Sequence, residues 1–146
     1  GLKAAKKWRK PIALFFTGWT TGSCRTFEER TFGDEAIYQL LKEEYVLITL
    51  FVDEKKQLLQ SEQFEYLNHN GEKRRIEEVG EKWQRFQEHC FKRNSQPMFS
   101  LLNPYEELLQ KKPVGYVKPE ELSIYLKTGL QNFHRGVSEG KMECGL

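Results

Sequence analysis

Two apolar runs flanking a helical stretch constrain this chain more than any other feature. The first, Pro11 to Thr17, reads Pro-Ile-Ala-Leu-Phe-Phe-Thr, and the second, Tyr45 to Asp53, reads Tyr-Val-Leu-Ile-Thr-Leu-Phe-Val-Asp. The first, a continuous apolar run of strand length, fits a strand covered on both faces, as in a parallel sheet. The β-branched residues of the second run strengthen the strand reading. Between them lie the turn-rich residues Gly18 to Ser23 and a helix that starts near Thr20 or Thr21, whose hydroxyls suit an N-cap. That helix carries Cys24 in its first turn and Phe27 a turn later. Asp34 then caps a second helical stretch to Glu44, with Ala36, Ile37, Leu40 and Leu41 at helical spacing. Strand, helix, strand in this order favours a parallel βαβ unit.

The flanking segments extend the pattern. Leu2 to Lys10 is a basic, Ala-rich helix that Pro11 stops. Residues 54–78 are polar and charged, with the turn signal Asn70-Gly71 between Phe64, Tyr66 and Ile76. This reads as an inserted hairpin on the surface, the alternative being a mobile loop. Gly80 to Lys92 is an amphipathic helix with Trp83, Phe86 and Cys90 on one face. Pro97 to Asn103 is a buried strand, and Glu107 to Val117 a further strand or short hairpin broken by Pro113. Pro119 suits the first turn of a last helix, whose core stripe is Leu122, Tyr125, Leu126, Leu130 and Phe133. Residues 1–135 thus make a single domain, and residues 136–146, small and charged, a flexible tail.

Composition excludes several functions. With 38% hydrophobic and 13% aromatic residues, the 146-residue chain can build one core. A net charge of +2 with interspersed signs gives no nucleic-acid face and no membrane stripe. The longest apolar run is far short of the roughly 20 residues that a membrane helix needs. Because Gly1 opens the chain at the edge of a helix, it reads as a trimmed piece of a longer precursor. Three cysteines, Cys24, Cys90 and Cys144, are too few for a disulfide framework. Cys90 is read as a core residue, with a Cys24–Cys90 disulfide as the minor alternative, and Cys144 as a tail residue without a role. His69, His89 and His134 lack metal-ligand spacing, so neither a metal nor another cofactor is expected.

The element order α-β-α-β-(insert)-α-β-β-α resembles the thioredoxin fold with an extra N-terminal helix. Phe16-Thr17-Gly18-Trp19-Thr20-Thr21-Gly22-Ser23-Cys24-Arg25 falls where that fold places strand, turn and Cys-x-x-Cys, and Gln96-Pro97-Met98 where it places a cis-proline. The expected architecture is α/β, a central mixed sheet flanked by helices. More closely, the chain resembles the C-terminal domain of DsbD-type thiol:disulfide interchange proteins, in the Bacteroides-like form labelled cytochrome c biogenesis proteins. The shared features are the opening Gly-Leu-Lys-Ala-Ala-Lys, Phe-Thr-Gly before the motif, Tyr-Val-Leu-Ile before Val-Asp, the Asn-Gly hairpin, Val-Gly-Glu-Lys-Trp, Gln-Pro, and the late Leu-Lys-Thr-Gly-Leu. This resemblance implies an exported, periplasmic domain that passes electrons from a membrane relay domain to oxidised proteins. Its partners would be protein thiols and disulfides or extended peptides.

The departures carry as much information. In the family the first motif cysteine is the attacking thiolate and the second resolves the mixed disulfide. Here the attacking position is Thr21, so a two-cysteine cycle cannot run there. Many relatives carry a buried Asp six residues earlier, where this chain has Phe15. Cys24 remains, at the resolving position, as a lone reactive thiol or as an inert thiol packed under the first turn. Thr21-Gly22-Ser23-Cys24 also copies the Thr-x-x-Cys spacing of peroxiredoxins, without their preceding proline, and Arg25 is expected to point away along the helix. The Pro97 loop with Gln96 would pair with an extended peptide, by β-strand addition. Trp19 either rims that site or packs against the turn.

Overall fold

A computed structural model describes residues 1–68, 70–142 and 144. Strand β1 (Ile12–Thr17) is buried at every residue. It pairs in parallel with β2 (Val46–Phe51), from Ile12 opposite Val46 to Thr17 opposite Phe51. On its other side it pairs antiparallel with β5 (Met98–Leu102), from Ile12 opposite Leu102 to Phe16 opposite Met98. The sheet is therefore mixed, in the order β2-β1-β5. Alternate residues of β1 point to opposite faces. Ala13 and Phe15 join Phe27, Ile37, Tyr45, Phe99, Leu101, Leu122 and Leu126 in one core, whereas Ile12, Leu14 and Phe16 join Ala5, Leu50, Met98 and Leu102 in the other. Both faces are covered, which is why the strand has no polar alternation. Strand β2 lies at the sheet edge and alternates between half-buried and exposed residues until Leu50.

Helices cover both faces. The N-terminal helix α1 (Leu2–Trp8) inserts Ala5 into the second core, and α2 (Gly22–Gly33) inserts Phe27 into the first. Asp34 ends α2 and caps α3 (Glu35–Gln39), its carboxylate accepting from the Ile37 N–H at 3.1 Å, as the sequence predicts. The stretch then widens into a π-helical turn, Leu40–Glu44. The insertion is a hairpin of its own, β3 (Phe64–Leu67) antiparallel to β4 (Lys73–Ile76). Gly71 takes the left-handed conformation its turn requires (φ 78°), while Asn68 Oδ1 accepts from the Asn70 and Glu72 N–H groups at 2.9 Å each. The chain continues through α4 (Val79–Phe91), β5 and α5 (Pro119–His134), with Pro119 in the first turn of the last helix.

Three expectations need correction. The predicted strand or hairpin at 107–117 shrinks to isolated bridges, Leu102 with Leu108 and Phe99 with Val114. Pro113 offers no N–H, so the segment cannot run a continuous ladder. Cys90 is buried, yet it is not a free core thiol, because it forms a disulfide with Cys144. Cys144 thus has a role that its place in the sequence did not give it, and Cys24 is the free cysteine rather than a partner of Cys90. Of the three histidines, His69 lies outside the described residues. No helix among the described residues is long and apolar enough to cross a membrane.

The start of α4 fixes the insertion against the sheet. The Gly80 N–H donates to the Glu54 carbonyl at 2.8 Å. A β-carbon on Gly80 would lie 2.5–2.7 Å from Glu54 N, Glu54 O and Val52 O, all backbone atoms that cannot turn aside. Gly80→Ala is therefore expected to cost about 1–3 kcal/mol, as overpacking usually does, read as a lower urea midpoint at unchanged m-value.

Candidate functional site

The site forms where β1 ends. In the antiparallel register, Pro97 follows on opposite Thr17, directly before the turn Gly18–Thr21, and the Gln96–Pro97 peptide bond is cis. The parallel register puts Asp53, beyond the end of β2, against the same turn. Its carboxylate accepts from Trp19 N at 2.8 Å, Thr20 N at 3.0 Å and Thr20 Oγ1 at 2.9 Å. The Trp19 indole stacks on Phe51, 3.9 Å between centroids and 6° from parallel, and its Nε1 donates to Glu54 at 3.1 Å. One face of Trp19 is thus packed, while the residue as a whole is 48% exposed.

Thr21 is exposed at the N-cap position of α2, but its hydroxyl caps no backbone N–H. Of the two threonines expected to cap, Thr20 spends its hydroxyl on Asp53, so the turn is held by that carboxylate rather than by its own hydroxyls. Cys24 lies in the first turn of α2 and is fully buried, 0% exposed. The Cys24 thiol is therefore closed to solvent in this state. Phe15, where the resemblance led one to look for an acid, is fully buried and stacked on Phe99, 4.4 Å between centroids, with Phe27 and Phe32 at its flanks. A carboxylate there would lose hydration without a charged partner. The carboxylate that does approach the strand end is Glu28, four residues after Cys24 on α2, whose Oε1 accepts from Thr17 Oγ1 at 2.7 Å.

The half-buried Gln96 side chain is engaged within the protein. Its amide donates to Gln87 Oε1 at 2.7 Å, and Gln87 Nε2 donates to the Ser95 carbonyl at 2.8 Å. Gln87 is fully buried on α4 and, with Gln96, braces the cis-proline loop. Arg25 corrects its expectation: it folds back so that Nε and Nη2 donate to the Trp19 carbonyl at 3.1 and 2.8 Å. Sequence reasoning missed Asp53, Gln87 and Glu28. A signal existed for two of them. Aligning the two apolar runs in parallel brings Asp53 beside the turn, and Gln87 is a polar intruder on the apolar face of α4. No group of three or more His, Cys, Asp or Glu residues among the described residues could hold a metal ion.

Partial burial would raise the Asp53 carboxyl, but the three hydrogen bonds from Trp19 and Thr20 outweigh it and hold the group below its ordinary value of 3.8. Since the folded state binds the proton more weakly than the unfolded one, this stabilisation is present above pH 3.8 and is lost as pH falls through the depressed folded value. Asp53→Asn is expected to cost about 1 kcal/mol at pH 7, the scale of hydrogen bonds lost to an exposed carboxylate. It should also flatten the acid limb of a plot of urea midpoint against pH.

The sequence profile of the thioredoxin-like domain family matches residues 1–130. No curated protein matches the sequence. Among solved structures, the DsbH oxidoreductase superposes with a TM-score of 0.61 at 16% identity, over 89% of this chain and 78% of that one. A thioredoxin from Thermus thermophilus superposes with a TM-score of 0.55 at 14% identity, over 86% of this chain and 78% of that one. At these identities the likeness concerns the fold, and it agrees with the mixed sheet and the flanking helices described above. With a family match across nearly the whole chain, the protein belongs to the thioredoxin-like domain family.

Proposed function

We propose that this is a thioredoxin-like domain of the DsbD-type thiol:disulfide interchange and cytochrome c biogenesis lineage in which dithiol exchange at the motif is lost or much reduced. The observation that carries the reading is the pairing of an exposed Thr21 with a fully buried Cys24 beside the cis-Pro97 loop. Exchange needs a thiolate that can reach a foreign sulfur, and a lower thiol pKa at a helix N-terminus normally supplies it. A threonine hydroxyl in that position neither ionises near neutral pH nor forms a disulfide. The order of short motifs from the opening helix to Leu-Lys-Thr-Gly-Leu supports the lineage. An intact Cys90–Cys144 disulfide accords with an oxidising compartment, hence with an exported, periplasmic domain. In that lineage the electron donor would be a membrane relay domain and the substrates protein thiols and disulfides.

The second reading is a binding module that holds extended peptides without chemistry. It is favoured by the exposed half of Trp19 and by a cleft of about 310 Å³ lined by Phe27 and Arg30 of α2 and by Tyr116 and Pro119. The buried state of Cys24 and the engagement of Arg25 with Trp19 give one-cysteine peroxide chemistry no support.

Insulin reduction in dithiothreitol separates the readings. The natural chain should show no turnover above the dithiothreitol background, and Thr21→Cys should gain measurable turnover by restoring the attacking sulfur at the helix tip. Turnover by the natural chain near that of an intact Cys-x-x-Cys relative would overturn the proposal. A silent Thr21→Cys variant would shift the weight to the binding-module reading.

A further inference from the structure

The C-terminal segment forms an extra edge of the sheet. Leu108 bridges Leu102 on its inner side, and the neighbouring Leu109 N–H donates to the Leu101 carbonyl at 2.9 Å. On the outer side, the Leu108 N–H donates to the Gly140 carbonyl at 2.7 Å, and the Glu139 N–H to the Leu108 carbonyl at 2.8 Å. Glu107 and Lys141 extend this pairing by one antiparallel bridge. Residues 136–140 are all exposed, so they contribute little burial of their own. Beyond them Met142 is half-buried against the core of Ile12, Leu14 and Phe16. Cys144, only 9% exposed, is bonded to Cys90 at the end of α4, and its carbonyl lies 3.1 Å from His89 Nε2. Upstream, the segment leaves α5 through Gly136, which takes φ 67° and donates its N–H to Phe133. The strap is thus hinged at α5, held by a few exposed hydrogen bonds, and fastened covalently at its far end.

We propose that the Cys90–Cys144 disulfide is a redox-sensitive latch whose reduction releases residues 136–142 from the sheet edge. A dithiol reductant supplies both electrons. One of its thiolates attacks the sulfur of Cys144, the less enclosed of the pair, forming a mixed disulfide and freeing Cys90. Its second thiol displaces the remaining cysteine, leaving a cyclic disulfide and two protonated protein thiols, the two protons coming from the dithiol. Release strips Leu108 of both outer partners and opens a bare strand edge of the kind that recruits another strand. The latch does not depend on the reading proposed for Thr21.

Hydrogen exchange on the full chain, with and without dithiothreitol, tests this. In the oxidised chain, thiol counting in denaturant should find Cys24 alone, and after dithiothreitol all three cysteines. On reduction the Leu108 and Glu139 amides should exchange at least about tenfold faster, while the Phe15 and Phe99 amides keep their protection, as local opening without global unfolding requires. Cys144→Ser should reproduce this without reductant. The proposal is overturned by unchanged Leu108 and Glu139 protection after reduction, by loss of Phe15 protection in the same step (a staple of the whole fold rather than a latch), or by three titratable thiols in the oxidised chain.

Discussion

Everything in the molecule is arranged around the burial of β1, whose residues must satisfy backbone hydrogen bonds on two edges and cover apolar side chains on two faces. A buried N–H or C=O left unpaired is costly, so a strand this apolar needs a neighbour on each side. β2 supplies one in parallel and β5 the other antiparallel. The antiparallel partner has a specific consequence. It carries the chain back so that the residue preceding Met98, the cis-proline, stands at the point where β1 releases its chain into the turn. The parallel partner delivers Asp53 to the same point from the opposite side. The site is therefore the shared end of three strands, and its geometry follows from registers that the core enforces.

That geometry separates scaffold from chemistry. Fixing the turn takes hydrogen bonds to a carboxylate, a stacked aromatic pair and a glutamine brace under the cis-proline loop, and all of these are present. Disulfide exchange takes in addition an accessible sulfur that ionises near neutral pH. Here the exposed position holds an oxygen and the sulfur one helical turn further in is enclosed. Phe15 belongs to the same pattern. Its ring fills, by stacking on Phe99, a space in which a proton-carrying acid would stand unpaired among aromatic rings. A surface that docks a polypeptide survives such replacements, because backbone pairing and aromatic contact ask nothing of the thiol.

The layered fold was legible in the sequence wherever pattern and position agree. The continuous apolar run of β1, the Asp34 cap, the Asn-Gly hairpin and Pro119 at the start of α5 each express one local rule. Residues whose role is set by partners distant in sequence were less legible. Asp53, Gln87 and Glu28 look like ordinary solvated polar residues until the strands are registered and α4 is docked. Arg25 shows the same limit: helical geometry alone sends it outward, whereas the Trp19 carbonyl, left free by the turn, draws it back. The segment around Pro113 failed in the other direction, because a further strand or short hairpin was expected there, broken by Pro113, whereas only isolated bridges form.

Spacing alone gave no reason to join Cys90 to Cys144, because nothing local brings the end of α4 to a residue beyond α5. The joining follows from the sheet edge. Once residues 107–109 lie beside β5 with their outer hydrogen-bonding groups unpaired, a following segment that satisfies them is led along that edge towards α4. The same backbone demand that builds the central strand thus continues outward to the last pairing. There the gain per residue is small, since the segment is exposed, and a covalent bond supplies the hold that burial does not.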